Sequence, residues 1–71
     1  MTQEKTYVGE LIRKEIRYQR LTNGYVIHKM KVAGIEMSDA KFSNKLYGER
    51  DQFTIEEVTV ANDALGTNFQ L

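Results

Sequence analysis

Hydrophobic residues in the first third of the chain recur at the spacing of an α-helix. Between Tyr7 and about Arg20 they follow one another in steps of three, one and four residues, which places them on one helix face. This stripe consists of Val8, Leu11, Ile12 and Ile16. The basic residues of the same segment lie off the stripe. The pattern therefore predicts a first, amphipathic helix over residues 7–20.

Residues 23–33 show a weaker helical pattern. Val26 and Met30 are four residues apart, so they can share one face of a helix. The Tyr, Val and Ile residues of this segment also favour strands, and the pair Asn23 and Gly24 could form the turn of a β-hairpin. The spacing favours a second helix over residues 23–33, with a hairpin as the alternative.

A third helix is predicted over residues 38–47, between a start signal and a stop signal. Ser38 can cap its first turn, and Gly48 suits the left-handed conformation that ends many helices. Phe42 and Leu46 are four residues apart and share one face. A helix with so few large apolar groups is not stable alone, so it depends on packing.

The clearest helix start of the chain lies at Thr54. Thr54 and Glu57 have the spacing of a capping box, and Phe53 stands where a hydrophobic staple would pack against Val58. Apolar residues at helical spacing follow, up to the glycine after Leu65. These signals predict a fourth helix over residues 54–65.

Together the four patterns predict an all-α fold. We expect one domain over residues 1–71, built as a compact bundle of four to five short helices with tails at 1–5 and 67–71. The predicted core consists of Leu11, Ile12, Ile16, Val26, Met30, Phe42, Leu46, Ile55, Val58, Ala61 and Leu65. Phe69 and Leu71 lie outside these stripes, so they are expected either to fold back onto the core or to meet a second copy.

Charge is distributed unevenly along a chain whose formal net charge is zero. Zero net charge argues against a nucleic-acid-binding protein. However, residues 13–50 carry nine cations and four acids, whereas residues 51–71 carry four acids and no cation. Such a separation can make one face positive and another negative, although ordinary scatter in a small protein explains it equally well.

No catalytic, metal or cofactor site can be built from the sequence. His28 is the single histidine and there is no cysteine, so His28 is interpreted as an exposed helix residue. Glu56 and Glu57 are adjacent, point apart on a helix and cannot act as an acid–base pair. Ser38 and Ser43 have no nearby histidine base. We therefore expect no enzymatic activity, no cofactor and no metal.

The sequence also contains no segment that we expect to cross a membrane. No apolar run approaches the length of a membrane span, and residues 1–5 do not read as a signal peptide. With no cysteine in the chain, the expected setting is a reducing cytoplasm, without a membrane partner.

Three stretches resemble, in their order and spacing, the lambda-repressor-like helix-turn-helix family of phage repressors and Cro proteins. The first runs from Val-Gly-Glu-Leu-Ile-Arg at 8–13 to Arg-Leu-Thr at 20–22, similar to the family's first helix and the start of its second. The second, Phe-Ser-Asn-Lys-Leu-Tyr-Gly at 42–48, is similar to the recognition helix. The third, 53–66, resembles the closing helix and ends in Ala-Leu-Gly. The resemblance covers about residues 6–68.

The chain departs from the family pattern in the link between helices 2 and 3 and at three further residues. The link from Lys31 to Met37 is longer than the family's tight turn between helices 2 and 3. Ile27 stands where the family prefers a small residue, and Tyr47 and Arg50 stand where amides or small polar residues are common. These departures bear on the angle of the third helix and hence on which residues reach bases.

The resemblance implies a sequence-specific DNA-binding transcriptional regulator that reads the major groove with helix 38–47. A homodimer on a double-stranded operator is expected, at the nucleoid of a bacterial or phage-infected cell. The residues expected on base edges are Asp39, Ala40, Lys41 and Asn44, although Asp39 can simply serve the helix start. The residues expected on phosphates are Thr22, Asn23, Lys45, Tyr47 and Arg50. Ser43 adds a hydroxyl to the same exposed side.

Two other interpretations of helix 38–47 stay open at this point. It could be an ordinary short surface helix. A small helix-turn-helix protein can also use this helix to bind another protein, for instance a repressor that it neutralises. The zero net charge and the acidic last third favour this antirepressor-type module. The sequence does not separate it from a DNA-binding protein.

Overall fold

The computed structural model describes residues 8–48 and 51–70. Within these residues the chain forms helices and no strand. The helices are α1 (Val8–Tyr18), α2 (Asn23–Val32), α3 (Asp39–Tyr47) and α4 (Ile55–Leu65). The prediction of an all-α fold is confirmed, and each helix lies in a predicted segment. The expectations for residues 1–5, Arg50 and Leu71 lie outside the described residues.

The first two helices are separated by a tight helix end and a side-chain cap. Arg20 adopts a left-handed conformation, with φ 59°, and the Leu21 amide donates to the Ile16 carbonyl at 2.9 Å. α1 therefore ends at Tyr18, two residues before the predicted end. Thr22 then caps α2, because its hydroxyl accepts from the Tyr25 amide at 3.2 Å.

The hairpin alternative for residues 23–33 is wrong. Asn23 and Gly24 form the first turn of α2 instead of a β-turn. α2 buries Val26 and Met30, as the helical spacing predicted, together with Ile27. Strand-favouring residues are helical here because burial against the other helices outweighs their weak intrinsic preference.

Both predicted start signals of the later helices are present. The Ser38 hydroxyl accepts from the Lys41 amide at 3.2 Å at the start of α3. At α4 the Thr54 hydroxyl accepts from the Glu57 amide at 3.2 Å, and the Thr54 amide donates to the Glu57 carboxylate at 2.9 Å. This is the reciprocal capping box that the sequence predicted. Phe53, at the staple position, is buried.

A single cluster of buried side chains is shared by all four helices. α1 packs against α3, and α2 packs against both α3 and α4. The core consists of Val8, Ile12, Ile16, Val26, Ile27, Met30, Met37, Phe42, Leu46, Phe53, Val58, Ala61 and Leu65. Val8, Ile27, Met37 and Phe53 are core residues that the predicted core omitted, and Leu11 is only half-buried.

One predicted core residue lies on the surface. Ile55 is 74% exposed, so its assignment to the core is wrong. The inner face of α4 is centred on Val58, Ala61 and Leu65. Ile55 opens the helix at the edge of this stripe and is turned away from the core. The error follows from the width of a helical stripe, whose edge residues can face either way.

The tail after α4 folds back onto the helix, which was one of the two expectations for Phe69. The Asn62 side chain donates to the Phe69 carbonyl and accepts from the Phe69 amide, both at 2.8 Å. The same Asn62 oxygen accepts from the Thr67 hydroxyl at 2.9 Å. Phe69 is half-buried against the core. The tail is therefore held by a helix side chain.

Candidate nucleic-acid interface

The outer side of α3 carries most of the residues predicted to contact DNA. Asp39, Lys41, Asn44 and Tyr47 are exposed, and Ser43 is half-buried. They follow the capped N-terminal end of the helix. The side chains thus offer an ammonium, an amide, a hydroxyl and a phenol on one side, and these groups can bind base edges or phosphates.

Lys45 does not belong to this exposed side. It is 6% exposed, and its Nζ donates to the Glu57 carboxylate oxygens at 2.6 and 2.8 Å. The prediction that Lys45 projects into solvent towards a phosphate is wrong. Lys45 neighbours Leu46 on the inner side of α3, where α3 meets the first turn of α4. The ion pair therefore joins the two helices.

The Glu57 carboxyl is stabilised in its ionised form at this junction between α3 and α4. Burial raises the pKa of its carboxyl, but the hydrogen bonds from Lys45 and Thr54 and the charge of Lys45 together lower that pKa below its ordinary value. Glu57 is consequently ionised at neutral pH, although its side chain is buried. The carboxylate serves the capping box of α4 and the contact to α3 at once.

A polar cleft lies between α1, the start of α2 and α3. It has a volume of about 390 Å³. Its polar lining comes from Arg13, Arg17, Asn23, Ser43 and Tyr47, and its apolar part from Ile16 and Leu46. We call this space the α1 cleft. It brings three residues predicted to contact DNA, one on α2 and two on α3, next to two arginines of α1.

Arg13 is held in place at the wall of the α1 cleft. Its guanidinium carbon lies 5.0 Å from the centre of the Tyr47 ring, which is a cation–π contact. Its Nε is buried and has no hydrogen-bond partner within residues 8–48 and 51–70. Arg17 follows one helical turn later and is exposed. Neither arginine was predicted to contact DNA, although their spacing of four residues, off the apolar stripe, places them on one side of α1.

The other predicted phosphate contacts are placed as follows. Thr22 and Asn23 are exposed at the start of α2, and the Thr22 hydroxyl also caps the helix. Asn23 lines the α1 cleft together with Tyr47. Arg50 lies outside the described residues. Their contacts to phosphate stay predictions.

A second, apolar groove lies between α4 and tail residues 67–70. Its volume is about 790 Å³. Its apolar lining comes from Ile55, Val58, Val60 and Phe69. Ile55 is largely exposed there, and Val60 and Phe69 are half-buried. We call it the α4 groove, and it leaves apolar surface on the acidic part of the chain.

Metal ligation and membrane crossing find no support in the described part of the chain. Residues 8–48 and 51–70 hold no group of three or more His, Cys, Asp or Glu side chains that could bind a metal ion. His28 is exposed. The described helices include none with the length and apolar character that crossing a membrane requires.

A comparison with protein-family models, curated protein sequences and solved structures found no significant match for this chain. Three features of the molecule therefore bear on its function. They are the exposed side of α3, the α1 cleft and the α4 groove.

Proposed function

We propose that this protein is a sequence-specific DNA-binding regulator of the helix-turn-helix type, which reads the major groove with α3. The observation that carries the proposal is the two-sided character of α3. Its outer side presents Lys41 and Asn44, and its inner side is held by Phe42, Leu46 and the buried Lys45 ion pair. A helix must be rigidly supported in this way if its side chains are to discriminate between bases.

The connection between α2 and α3 also supports the proposal. Residues 33–38 are longer than a tight turn, yet they are pinned to the core by Met37, which is buried, and by Ile35, which is half-buried. Gly34 takes a left-handed conformation at the end of α2, with φ 87°. The orientation of α3 relative to α2 is therefore defined by packing.

Replacing Asn44 with alanine tests whether α3 reads sequence. We expect a loss of roughly 1–3 kcal/mol in binding to the preferred duplex and little change on random duplex, because an asparagine amide can pair bidentately with adenine. The preferred site is obtained by selection from random duplexes with the wild-type protein. Binding is then measured by fluorescence anisotropy, and circular dichroism checks the fold.

Gln52→Ala is the matched control, since Gln52 carries an exposed side-chain amide outside α3, the α1 cleft and the α4 groove. It should leave the base preference unchanged. If Asn44→Ala keeps the full preference of the wild type, then Asn44 does not read a base. If the wild type discriminates between no duplexes at all, the proposal of sequence-specific reading is wrong.

An antirepressor-type module that binds another protein is the second candidate. The observation that favours it is the α4 groove, an apolar surface in the region of the chain that carries acids and no cation. The same experiments separate the two functions. A protein-binding module should show no duplex affinity at any salt concentration, whereas a DNA-binding protein should lose affinity steeply with salt.

We also propose that two copies act together on DNA through the α4 groove. One small domain covers a single half-site, and two half-sites a helical turn apart give useful specificity. Ile55 is the exposed apolar residue that a second copy would cover. Phe69 is already half-buried against the core of its own chain, and it lines one side of the groove.

Ile55→Ser should weaken dimerisation on the preferred duplex about tenfold or more, because burying an isoleucine contributes about 1.5–3 kcal/mol. Sedimentation velocity with the duplex present measures the association. Val32→Ser is the control, since Val32 is 73% exposed on α2. A wild-type protein that stays monomeric on its preferred duplex would rule out the dimer. Deleting residues 68–71 tests the tail separately.

A further inference from the structure

Among the described residues, the lining of the α1 cleft is cationic and polar and includes no carboxylate. It offers two guanidinium groups, from Arg13 and Arg17, and the side chains of Asn23, Ser43 and Tyr47. Guanidinium groups with amide and hydroxyl donors are the chemistry that binds phosphate oxygens. We infer that the α1 cleft binds a phosphodiester group of the DNA backbone, an inference that rests on the proposed function.

The position of Arg13 supports this inference. The Arg13 guanidinium carbon lies 5.0 Å from the centre of the Tyr47 ring, and this cation–π contact holds the guanidinium beside α3. The Arg13 Nε has no acceptor among the described residues. A buried donor without an acceptor costs free energy. An anion entering the cleft would supply acceptors to a guanidinium that is already oriented.

The remaining lining residues complete the environment of an anion. Arg17 lies one turn after Arg13 and is exposed, so it can reach a ligand at the mouth of the cleft. Asn23 and Ser43 contribute neutral donors from two further helices. Asn23 also stands in the first turn of α2, where the helix dipole adds positive potential. Three helices thus converge on one negatively charged ligand.

The principal phosphate contact thus lies on α1 and not on α3. Lys45, which was expected to contact a phosphate, is buried against Glu57. Arg13 and Arg17 are the cations that the fold places beside α3 instead. Tyr47 acts through Arg13 by orienting its guanidinium. A backbone phosphate held in the cleft would position the duplex for the outer side of α3 without reading its sequence.

Arg17→Gln tests the inference, with Lys14→Gln as the matched control. Lys14 is a cation of the same helix that pairs on the surface with Glu10 at 3.0 Å, so its loss removes the same charge outside the cleft. Duplex binding is measured across a series of salt concentrations. Arg17→Gln should weaken preferred and random duplexes alike and reduce the salt slope by about one. Lys14→Gln should keep the wild-type slope.

Arg13→Gln is the second variant, and Arg13→Lys accompanies it. The glutamine variant should reduce the salt slope in the same way, and lysine should restore the slope better than the affinity, because lysine keeps the charge but not the bidentate geometry. Thermal melts show whether either variant disturbs the fold. Because Arg17 is exposed, Arg17→Gln keeps the test decisive even if Arg13 proves necessary for folding.

Failure of the inference and failure of the proposed function give different results. Suppose that the wild type binds duplex, but Arg17→Gln keeps the wild-type salt slope or Lys14→Gln lowers the slope by the same amount. The α1 cleft is then not the phosphate site, whereas the proposal of DNA binding stands. If the wild type binds no duplex, an NMR titration with inorganic phosphate decides. Shifts at Asn23 and Ser43 that vanish in Arg17→Gln identify a site for free phosphate, and absent shifts overturn both proposals.

Discussion

Replacing Lys45 with methionine is expected to destabilise the folded protein by about 3–5 kcal/mol, because it leaves a buried carboxylate without its counter-ion. In the wild type, the Lys45 Nζ lies 2.6 Å from a Glu57 oxygen, and both side chains are buried. A chain of this length has a total stability of about 4–11 kcal/mol, so the loss is a large fraction of the whole. Urea denaturation followed by circular dichroism measures it.

Two further variants make the Lys45 prediction specific. Lys41→Met removes an exposed cation from the same helix and should change stability by no more than about 0.5 kcal/mol. In Lys45→Met with Glu57→Gln, a neutral amide oxygen can still accept from the Thr54 amide. That double variant should recover much of the lost stability, because no charge stays buried. Equal denaturation midpoints for the Lys45 and Lys41 variants would show that the ion pair contributes nothing.

The pH dependence of stability provides an independent check on the same ion pair. The pKa of Glu57 is lowered in the folded state, so its contribution is present above the pKa of the unfolded chain and is lost as pH falls through the folded pKa. In Lys45→Met the carboxylate lacks its counter-ion, and acid removes an unfavourable charge instead. The stability difference between wild type and variant should therefore shrink as pH is lowered from about 7 to about 3.

Replacing Phe42 with alanine should cost about 3–5 kcal/mol, the range for removing a buried aromatic side chain. Phe42 is 0% exposed, and its ring meets that of Phe53 edge to face, with centres 5.6 Å apart. The substitution opens a cavity between α3 and the start of α4 and removes the aromatic pair. The helix that carries Asn44 loses its main anchor at the same time.

The Phe42 prediction is measured by urea denaturation beside two companion variants. Tyr18→Ala removes an aromatic side chain that is 83% exposed, and it should be nearly neutral. Phe42→Leu keeps most of the buried volume, so it stays folded and reports a smaller loss even if the alanine variant does not fold. An alanine variant as stable as the tyrosine control would show that Phe42 carries no core packing.

The positions and starts of the helices could be predicted from the sequence, because they depend on residues that are close together in the chain. The capping box of Thr54 and Glu57 needs groups only three residues apart, and so does the cap that Ser38 provides to α3. Apolar spacing located the four helices for the same reason. Even in α2, where strand-favouring residues left a hairpin open, the four-residue spacing of Val26 and Met30 indicated the helix that formed.

The errors concern residues whose surroundings come from another helix. Lys45 and Lys41 are both cations of α3, and their residue type alone does not show which one is buried. Lys45 is buried only because α3 packs where the α4 start supplies Glu57, twelve positions later in the chain. Ile55 has the spacing of a core residue but lies past the edge of the packed face. The sequence pattern contains no information on how far that face extends.

The sequence by itself determined that this chain is helical, where its helices begin, and which apolar stripes join in its core, since hydrogen bonds and side-chain periodicity within a helix depend on near neighbours. Only the tertiary structure decided which of the described cations are buried in an ion pair and which line a cleft. It paired Lys45 with Glu57 inside the protein and placed Arg13 and Arg17 beside α3 at the α1 cleft. Those outcomes depend on how the helices pack against one another, and such packing joins groups that are far apart in the chain.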